Sequence, residues 1–282
     1  MENAFECTLI KFTASDKMKL DGILIGRNKK TCVIYLHGMN GNFYKSNIPL
    51  ELSKSNKFSV FSINTRGHDV ISTIKTKNNK KSVLAGTGAE VFTNAKYDIE
   101  GAIKTIASLG FDRIFLAGHS TGCQKITYYA SIKKDKRISG IILFAPADDL
   151  SITKKEGSRF ENRILKARNL IKHNEGDTPM KEFGFFTPKR FLSAYYFKSI
   201  EANIFYYNGQ LKLFSSIKLP ILAIFGSKEE YRDRKVSKYL SILENKSQSK
   251  YFSSVIIKNA MHSFYNHEFE LRKNVEKWLE VI

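Results

Sequence analysis

The sequence is organised around the stretch LAGHSTGC at positions 116–123. The apolar run at 113–117 predicts a short buried strand, and residues 123–130 are compatible with a helix. The two glycines of the stretch lack a Cβ, so strand and helix can approach closely with Ser120 at a strained turn between them. We therefore predict that Ser120 projects out of a sheet beside the unpaired N–H groups of a helix N-terminus. A nucleophile needs both that exposure and that partial positive charge.

The composition indicates a globular protein of one large domain. The chain has 282 residues, of which 42% are hydrophobic and 12% aromatic, enough for a full α/β core with an insertion. The N-terminal residues lack the basic and apolar regions of a signal peptide, and no apolar run reaches the roughly 20 residues of a membrane helix. The three cysteines have no metal-ligand spacing. We expect reduced thiols, a cytoplasmic location and no membrane partner.

A net charge of +19 raises the question of nucleic-acid binding. The densest basic groups, 75–81 and 133–137, fall where surface loops are expected, and no nucleic-acid motif accompanies them. The lysines are otherwise spread along the chain. A solvated basic surface, with some attraction for an anionic substrate, is the better interpretation, and we expect no nucleic-acid partner.

Strand and helix patterns alternate along most of the chain. Two alternating segments at the N-terminus predict an antiparallel pair, and the apolar runs that follow predict parallel strands with right-handed crossovers. Residues 70–89 are polar and glycine-rich and predict a loop. The predicted strands are 6–12, 19–25, 32–36, 58–63, 113–117, 138–144, 220–226 and 251–257. One predicted helix ends at Ser53, and the other predicted helices cover 90–109, 121–133, 234–243 and 268–279.

One segment interrupts this alternation. Residues 150–217, called the cap segment below, are basic, helical in pattern and rich in phenylalanine and tyrosine. We predict that they form a helical cap over the sheet. The α/β core would then consist of residues 1–149 and 218–282.

A nucleophilic serine needs a general base, and His262 is the best candidate. In open α/β sheets catalytic groups lie at the carboxyl ends of strands, and His262 follows the last predicted strand. It also comes after the serine and the acid in the chain. The other candidates are His267, expected to begin the final helix; His119, expected to shape the turn at Ser120; His68, which precedes the serine; and His173, in the cap segment.

The acid that orients the histidine is predicted to be Glu229. It follows the strand at 220–226, where a carboxylate could hold the imidazole tautomer and stabilise the imidazolium. Glu230 and Asp233 are close alternatives, and Asp148, after the preceding strand, is a further one. Alternatively, Glu229 and Glu230 are a solvated pair on the surface with no catalytic role.

Donors for the oxyanion are predicted at two backbone positions. The glycine-rich turn at 37–41 follows a central strand and can direct the N–H of Met39 at the substrate oxygen. The N–H of Thr121, directly after the nucleophile, would be its partner. Asn40 and His119, which flank these groups, are predicted to contact the substrate.

Together these residues resemble a known family. The motifs HGMNGN (37–42), NTRGHD (64–69), GHSTG (118–122) and GSKEE (226–230), with the late His262, resemble the α/β-hydrolase superfamily over nearly the whole chain. More narrowly, they are similar to the fungal siderophore-esterase branch of the fusarinine C esterase type. The resemblance implies an α/β-hydrolase fold with an eight-stranded sheet, a serine triad and hydrolysis of siderophore esters. One departure is Glu229, since the family usually has Asp there.

The sequence therefore predicts a serine esterase with a Ser120–His262–Glu229 triad that acts through an acyl-enzyme. The expected substrate is a small-molecule ester of a bulky natural product, neutral or anionic, such as a siderophore ester or lactone. No metal or organic cofactor is expected, and the protein would be a monomer or homodimer. A thioesterase or acyltransferase would use the same groups, and a non-catalytic ligand-binding homologue is the alternative from another class.

Overall fold

Eight strands form one central sheet in the computed structural model, which describes residues 5–76 and 82–282. Two further strands, the fifth and sixth, pair only with each other. In chain order the strands are β1 (Thr8–Thr13), β2 (Lys19–Ile25), β3 (Thr31–Leu36), β4 (Ser59–Ile63), β5 (Ser72–Lys75), β6 (Ser82–Ala85), β7 (Arg113–His119), β8 (Ile138–Phe144), β9 (Ile221–Gly226) and β10 (Phe252–Ile257).

The order across the sheet is β1-β2-β4-β3-β7-β8-β9-β10. β2 runs antiparallel to both of its neighbours, and every other pair is parallel. This arrangement confirms the predicted antiparallel opening and the mostly parallel sheet of an α/β-hydrolase fold.

The sequences of the inner strands explain their position. Every residue of β3, β4 and β9 is buried, as expected for near-continuous apolar runs in a sheet covered on both faces. β10 lies at the edge, and its residues are exposed or partly buried except for Ile257, which is buried. The carboxyl ends of β3, β7, β8 and β9 consequently meet at one rim of the sheet, and the loops that leave them build the site described below.

Ten helices accompany the strands in the described residues. α2 packs against α3, and α1 packs against α10. They are α1 (Ile48–Leu52), α2 (Ala95–Ser108), α3 (Thr121–Lys133), α4 (Asp149–Thr153), α5 (Ser158–Lys172), α6 (Pro188–Tyr195), α7 (Ile200–Ile204), α8 (Lys212–Ser215), α9 (Val236–Lys246) and α10 (Glu268–Leu279). Within the described ranges, none of them is long and apolar enough to cross a membrane.

The cap segment is helical and divides between two apolar clusters. Its first part packs around α5 and α6 in a cluster separate from the main core: Leu150, Phe160, Ala167, Phe183, Phe186, Phe191, Ala194 and Ala202. Its last part joins the main core through Ile204, Phe205, Tyr207, Leu211, Phe214 and Ile217. The aromatic side chains of the cap segment therefore both build its interior and attach it to the sheet.

The structure differs from the sequence prediction at residues 70–89. The predicted loop contains β5 and β6, which pair antiparallel. Half of the residues in these four-residue strands are polar, and within the two strands only Ile74 and Ala85 are buried. A pattern that short carries no usable periodicity, so its pairing was not predictable. Residues 77–81, most of the basic group at 75–81, lie outside the described residues. The helix predicted at 90–109 begins later, at Ala95, after a 3₁₀ turn.

Candidate active site

Ser120 lies at the turn between β7 and α3 in a strained backbone conformation. Its dihedral angles are φ 53° and ψ −123°, a region that non-glycine residues rarely adopt. The Ser120 N–H donates to the Phe144 carbonyl at 2.9 Å, and the Ser120 carbonyl accepts from the Cys123 N–H at 2.8 Å. These bonds fix the turn between the neighbouring strand β8 and the first turn of α3. The surrounding structure thus maintains the strain.

The two glycines of the turn are required by close backbone approach. A Cβ on Gly118 would lie 2.4 Å from the carbonyl carbon of Gly122, and one on Gly122 would lie 2.5 Å from the carbonyl oxygen of Leu36. Neither contact could be relieved by rotating a side chain, because both neighbours are backbone. The start of α3 therefore lies directly against the ends of β7 and β3.

His262 and Glu229 form a buried pair at the same rim of the sheet. Glu229 follows β9, and His262 lies in the loop between β10 and α10. The His262 Nδ1–H faces both carboxylate oxygens, at 2.8 and 2.9 Å. Glu229 is 1% exposed, and its Oε1 also accepts from the Tyr231 N–H at 3.0 Å. Because Nδ1 donates to the carboxylate, Nε2 of His262 is the nitrogen left to accept a proton.

The alternative acids occupy other positions. Glu230 is exposed and accepts from the backbone N–H of His262 at 2.7 Å. Asp233 pairs with the adjacent arginine. Asp148 caps α4, its Oδ1 accepting a backbone N–H at 2.9 Å. Among these four carboxylates, only Glu229 contacts the imidazole ring of His262.

His119 supports the loop that carries His262. Its Nε2–H donates to the His262 carbonyl at 2.8 Å, and the two ring centroids are 4.9 Å apart. Burial, reinforced by nearby His262, lowers the pKa of His119 to about 3, so the ring is neutral. His119 also lines the cavity described below, where it was predicted to contact the substrate.

The remaining histidine candidates lie in local hydrogen bonds. His267 is the N-cap of α10, as predicted, and faces Glu270 at 3.4 Å. His68 donates from Nδ1 to the Thr65 carbonyl at 2.9 Å. His173 is exposed at the end of α5. None of the three lines the cavity that contains Ser120.

The two predicted oxyanion donors lie in the turn after β3 and at the start of α3. Within the described ranges, the backbone N–H groups of Met39 and Thr121 donate to no other protein group. The turn is fixed by His37, whose Nδ1–H donates to the Gly38 carbonyl at 2.8 Å, and by the Asn40 N–H, which donates to Thr87 Oγ1 at 2.9 Å. Burial lowers the pKa of His37 to about 3, so this buried ring is also neutral.

A cavity of about 750 Å³ brings the predicted residues together. Its lining includes Ser120, His262, Met39, Asn40, His119 and Thr121. Within the described residues, Ser120 Oγ forms no hydrogen bond with the His262 ring, although the two side chains share the cavity. Catalytic hydrogen bonds often tighten only when substrate is bound. The same part of the chain contains no cluster of three His, Cys, Asp or Glu that could hold a metal ion.

Several lining residues were not predicted from the sequence. The Tyr231 ring packs edge-on against His262, with centroids 4.8 Å apart, and the Tyr195 hydroxyl lies 3.8 Å from Met39 Sδ. Asp149 also lines the cavity. Its position just after β8 follows the same rule that identified Glu229, so it could have been found. The tyrosines carry no such signal.

Solved structures with this fold include several esterases. An esterase of Pyrococcus furiosus, Pf2001, is 21% identical, with a TM-score of 0.63 over 98% of this chain and 90% of that chain. A monoacylglycerol lipase of Paleococcus ferrophilus is 19% identical, with a TM-score of 0.64 over 92% and 98%. The carboxylesterase CesB of Bacillus subtilis is 15% identical, with a TM-score of 0.58 over 99% and 92%. At these identities the likeness establishes the fold.

Sequence comparison gives a family. No curated protein matches the chain significantly. A family model matches residues 76–280, most of the chain. That range contains Ser120, Glu229 and His262 but begins after the turn at 37–41. The chain belongs to the family described as "Protein of unknown function (DUF1749)".

Proposed function

We propose that the protein is a serine hydrolase that cleaves carboxylic esters. The observation that carries this proposal is the buried Glu229–His262 pair, at 2.8 Å, whose histidine lines the same cavity as the strained Ser120. A serine at such a turn, a histidine oriented by a carboxylate and free N–H groups beside them are the parts of acyl-transfer catalysis. The structural neighbours, which are esterases and a lipase, support it.

In the proposed mechanism, His262 Nε2 takes the proton of Ser120 as its Oγ attacks the ester carbonyl. The Met39 and Thr121 N–H groups bind the oxyanion of the tetrahedral intermediate. Glu229 stabilises the imidazolium, which then protonates the departing alcohol. His262 activates a water molecule that attacks the acyl-enzyme, and collapse of the second intermediate releases the acid and restores Ser120.

We further propose that the substrate is bulky, such as a siderophore ester or lactone. A cavity of about 750 Å³ can hold a ligand well beyond a short-chain ester. The motifs at 37–42 and 64–69 and the sequence after Ser120 support a relation to the fusarinine C esterase branch. In the structure the 64–69 motif is structural, because Arg66 pairs with buried Asp98 at 2.7 Å.

A covalent probe tests the proposed nucleophile. Intact-mass measurement after fluorophosphonate treatment should show one adduct in the natural protein and none in Ser120→Ala. The variant should also lose at least about 10³-fold in kcat on a cleaved ester, the scale seen when a triad member is removed. An adduct that persists in Ser120→Ala would place the reactive group elsewhere.

The proposed acid is tested by a matched pair of neighbours. Glu229→Gln removes the carboxylate from His262 Nδ1 and should lower kcat by about 10²–10⁴-fold, because the imidazole loses its preferred tautomer. Glu230→Gln, one residue away, keeps an acceptor for the His262 N–H and should lower kcat less than about 10-fold. A larger loss in Glu230→Gln would reverse the assignment.

A further inference from the structure

The charge of the cavity contrasts with that of the chain. The whole sequence carries +19, yet the described lining contains one lysine, Lys45, and two carboxylates, Asp149 and Glu268. The charge of Lys45 is already compensated, since its Nζ contacts Asp69 at 2.8 Å. The site therefore presents an excess of negative charge. This contradicts the simple expectation that a basic protein attracts an anionic substrate to its active site.

Asp149 is the carboxylate held most firmly in this lining. It is half-buried at the first position of α4. Its Oδ2 accepts from Gln124 Nε2 at 3.2 Å, and Gln124 also donates to the Ala147 carbonyl at 3.2 Å. Gln124 is 3% exposed and lies one turn after Ser120 in α3. One oxygen of Asp149 is thus tied to the helix that carries the proposed nucleophile.

The other oxygen, Oδ1, has no hydrogen-bond partner in the part of the chain that the structure describes. Among the described residues, no group donates a hydrogen bond to Asp149 Oδ1. A half-buried carboxylate with one free oxygen is stabilised by a donor, and by a cation more than by a neutral donor. The cavity that Asp149 lines is where such a group can arrive.

Within residues 5–76 and 82–282, no lysine, arginine or histidine forms an ion pair with Asp149. Burial, followed by the negative charges of Glu201 and Asp148, raises the pKa of Asp149 to about 7. His262 and Arg190 act in the opposite direction. Arg190, however, is bound by Glu201 at 2.9 Å. A ligand cation would relieve the remaining imbalance.

We propose that Asp149 Oδ1 binds a protonated amine of the substrate, so that the enzyme prefers esters with an amino group on the acid or the alcohol. Gln124 is the positioning residue that holds the carboxylate. This inference rests on the proposed ester hydrolysis and deepens it by naming a substrate class. It also assigns a role to a residue outside the Ser120–His262–Glu229 triad.

The test uses pairs of esters that differ only in charge. On the acyl side, the p-nitrophenyl ester of 6-aminohexanoate is compared with that of heptanoate. On the alcohol side, 2-(dimethylamino)ethyl butyrate, protonated at its tertiary amine, is compared with 3-methylbutyl butyrate. The quantity measured is the ratio of kcat/KM within each pair. We expect a ratio of about 10 or more in at least one pair, arising mainly in KM, because one charge-assisted contact is added.

Two variants assign that preference to a residue. Asp149→Asn keeps an acceptor for Gln124 but removes the charge, and the ratio should fall to about 1. Glu268→Gln removes the same charge elsewhere in the lining and should leave the ratio within about 2-fold of the natural protein. In the natural protein the acyl-side ratio should rise from pH 6 to pH 8, because Asp149 ionises while the amine, whose pKa is about 10, stays protonated.

Failure of the amine site and failure of the proposed esterase activity give different results. Ester cleavage with no preference for the amine, or a preference removed by Glu268→Gln instead, would overturn the role of Asp149 and leave the esterase standing. If no ester is cleaved, calorimetry on Ser120→Ala compares N-methyl-6-aminohexanamide with N-methylheptanamide. Tighter binding of the amine that is lost in Ser120→Ala/Asp149→Asn would then support the amine site without the esterase. Equal binding of both amides would reject it.

Discussion

The central sheet and the cap segment are stabilised in different ways. The inner strands β3 and β9 are buried at every position and almost entirely apolar. The first part of the cap segment also has an aromatic cluster, but it meets the core through charges that are themselves buried. Apolar contacts are non-directional and can be recognised from periodicity alone. Buried charges depend on particular partners.

Four buried charges make this connection. Arg190 in α6 contacts Glu201 of α7 at 2.9 Å and Glu90 at 3.3 Å. Glu90 in turn contacts Lys125 Nζ at 2.8 Å. Lys125 belongs to α3, the helix that begins after Ser120. The cap segment is therefore tied by ion pairs to the same helix that carries the proposed nucleophile.

The sheet and the cap segment should therefore be sensitive to different kinds of substitution. A well-packed apolar core loses stability in proportion to what is removed. Removing one member of a buried ion network leaves the others uncompensated, which costs more than the lost contact. The sheet should therefore respond to changes in shape, and the attachment of the cap segment to changes in charge.

The largest effect is expected for Arg190→Met. The methionine fills part of the same space, but Glu201 and Glu90 lose their shared cation. Breaking a buried pair in this way costs about 3–5 kcal/mol. Urea unfolding should show this loss, with proteolysis in the cap segment at lower urea than in the natural protein.

The adjacent residue provides the control. Lys189 also forms an ion pair, with Asp177 at 2.6 Å, but both side chains are more than half exposed. Lys189→Met should therefore change the free energy of unfolding by less than about 1 kcal/mol. Equal effects of the two variants would mean that burial of the ion network contributes nothing to stability. The attachment of the cap segment would then not be especially sensitive to changes in charge.

The same contrast explains what the sequence could predict of the fold. The run at 32–36 identified β3 because five buried apolar residues in succession have few alternatives. Nothing near Arg190 indicated Glu90, since the two lie 100 positions apart. β5 and β6 were missed for a related reason, because their pairing depends on each other and not on an apolar pattern of their own.

A smaller effect is expected for Gly122→Ala, which tests how closely the core is packed between α3 and β3. Gly122→Ala places a methyl group 2.5 Å from the Leu36 carbonyl oxygen, so α3 and β3 must separate. Overpacking of this kind costs about 1–3 kcal/mol, and the displaced turn should also slow reaction of Ser120 with the fluorophosphonate.

Gly209→Ala in the cap segment is the matched control. The new methyl group would lie 3.0 Å from the Tyr206 ring, which can move, and 3.1 Å from the Tyr206 carbonyl oxygen, a much looser backbone contact than the 2.5 Å at Gly122. Its cost should stay below about 1 kcal/mol, within the range of ordinary surface substitutions. A cost equal to that of Gly122→Ala would show that the backbone contact at the turn is not special.

The candidate site was predictable where it follows the strand ends. Ser120, Glu229 and His262 each lie in the connection that follows a strand, and the rim where parallel strands end brings them together. Which glutamate faces His262 was not decidable from the sequence, because adjacent side chains in a loop have no fixed direction. The structure separates them by burial, with Glu229 inside and Glu230 exposed. Tyr195 reaches the cavity only through the packing of the cap segment.

The smallest expected effect concerns Asp149, where the core passes into the cap segment. Its pKa is raised to about 7, whereas an aspartate in the unfolded chain has a pKa of about 3.9. Between those values the folded protein retains a proton that the unfolded chain has released. Stability should therefore fall as the pH rises through this window.

Asp149→Asn removes that dependence. Urea unfolding of the two proteins should agree near pH 4, and the variant should be more stable by about 1–2 kcal/mol at pH 8, a value reduced for partial exposure. Asp177→Asn, on an exposed side chain, should show no such trend. A constant difference between pH 4 and pH 8 would mean that Asp149 ionises as freely as an exposed aspartate. The Asp149 carboxylate would then carry no unfavourable buried charge, and the reason for a cation to bind to it would be lost.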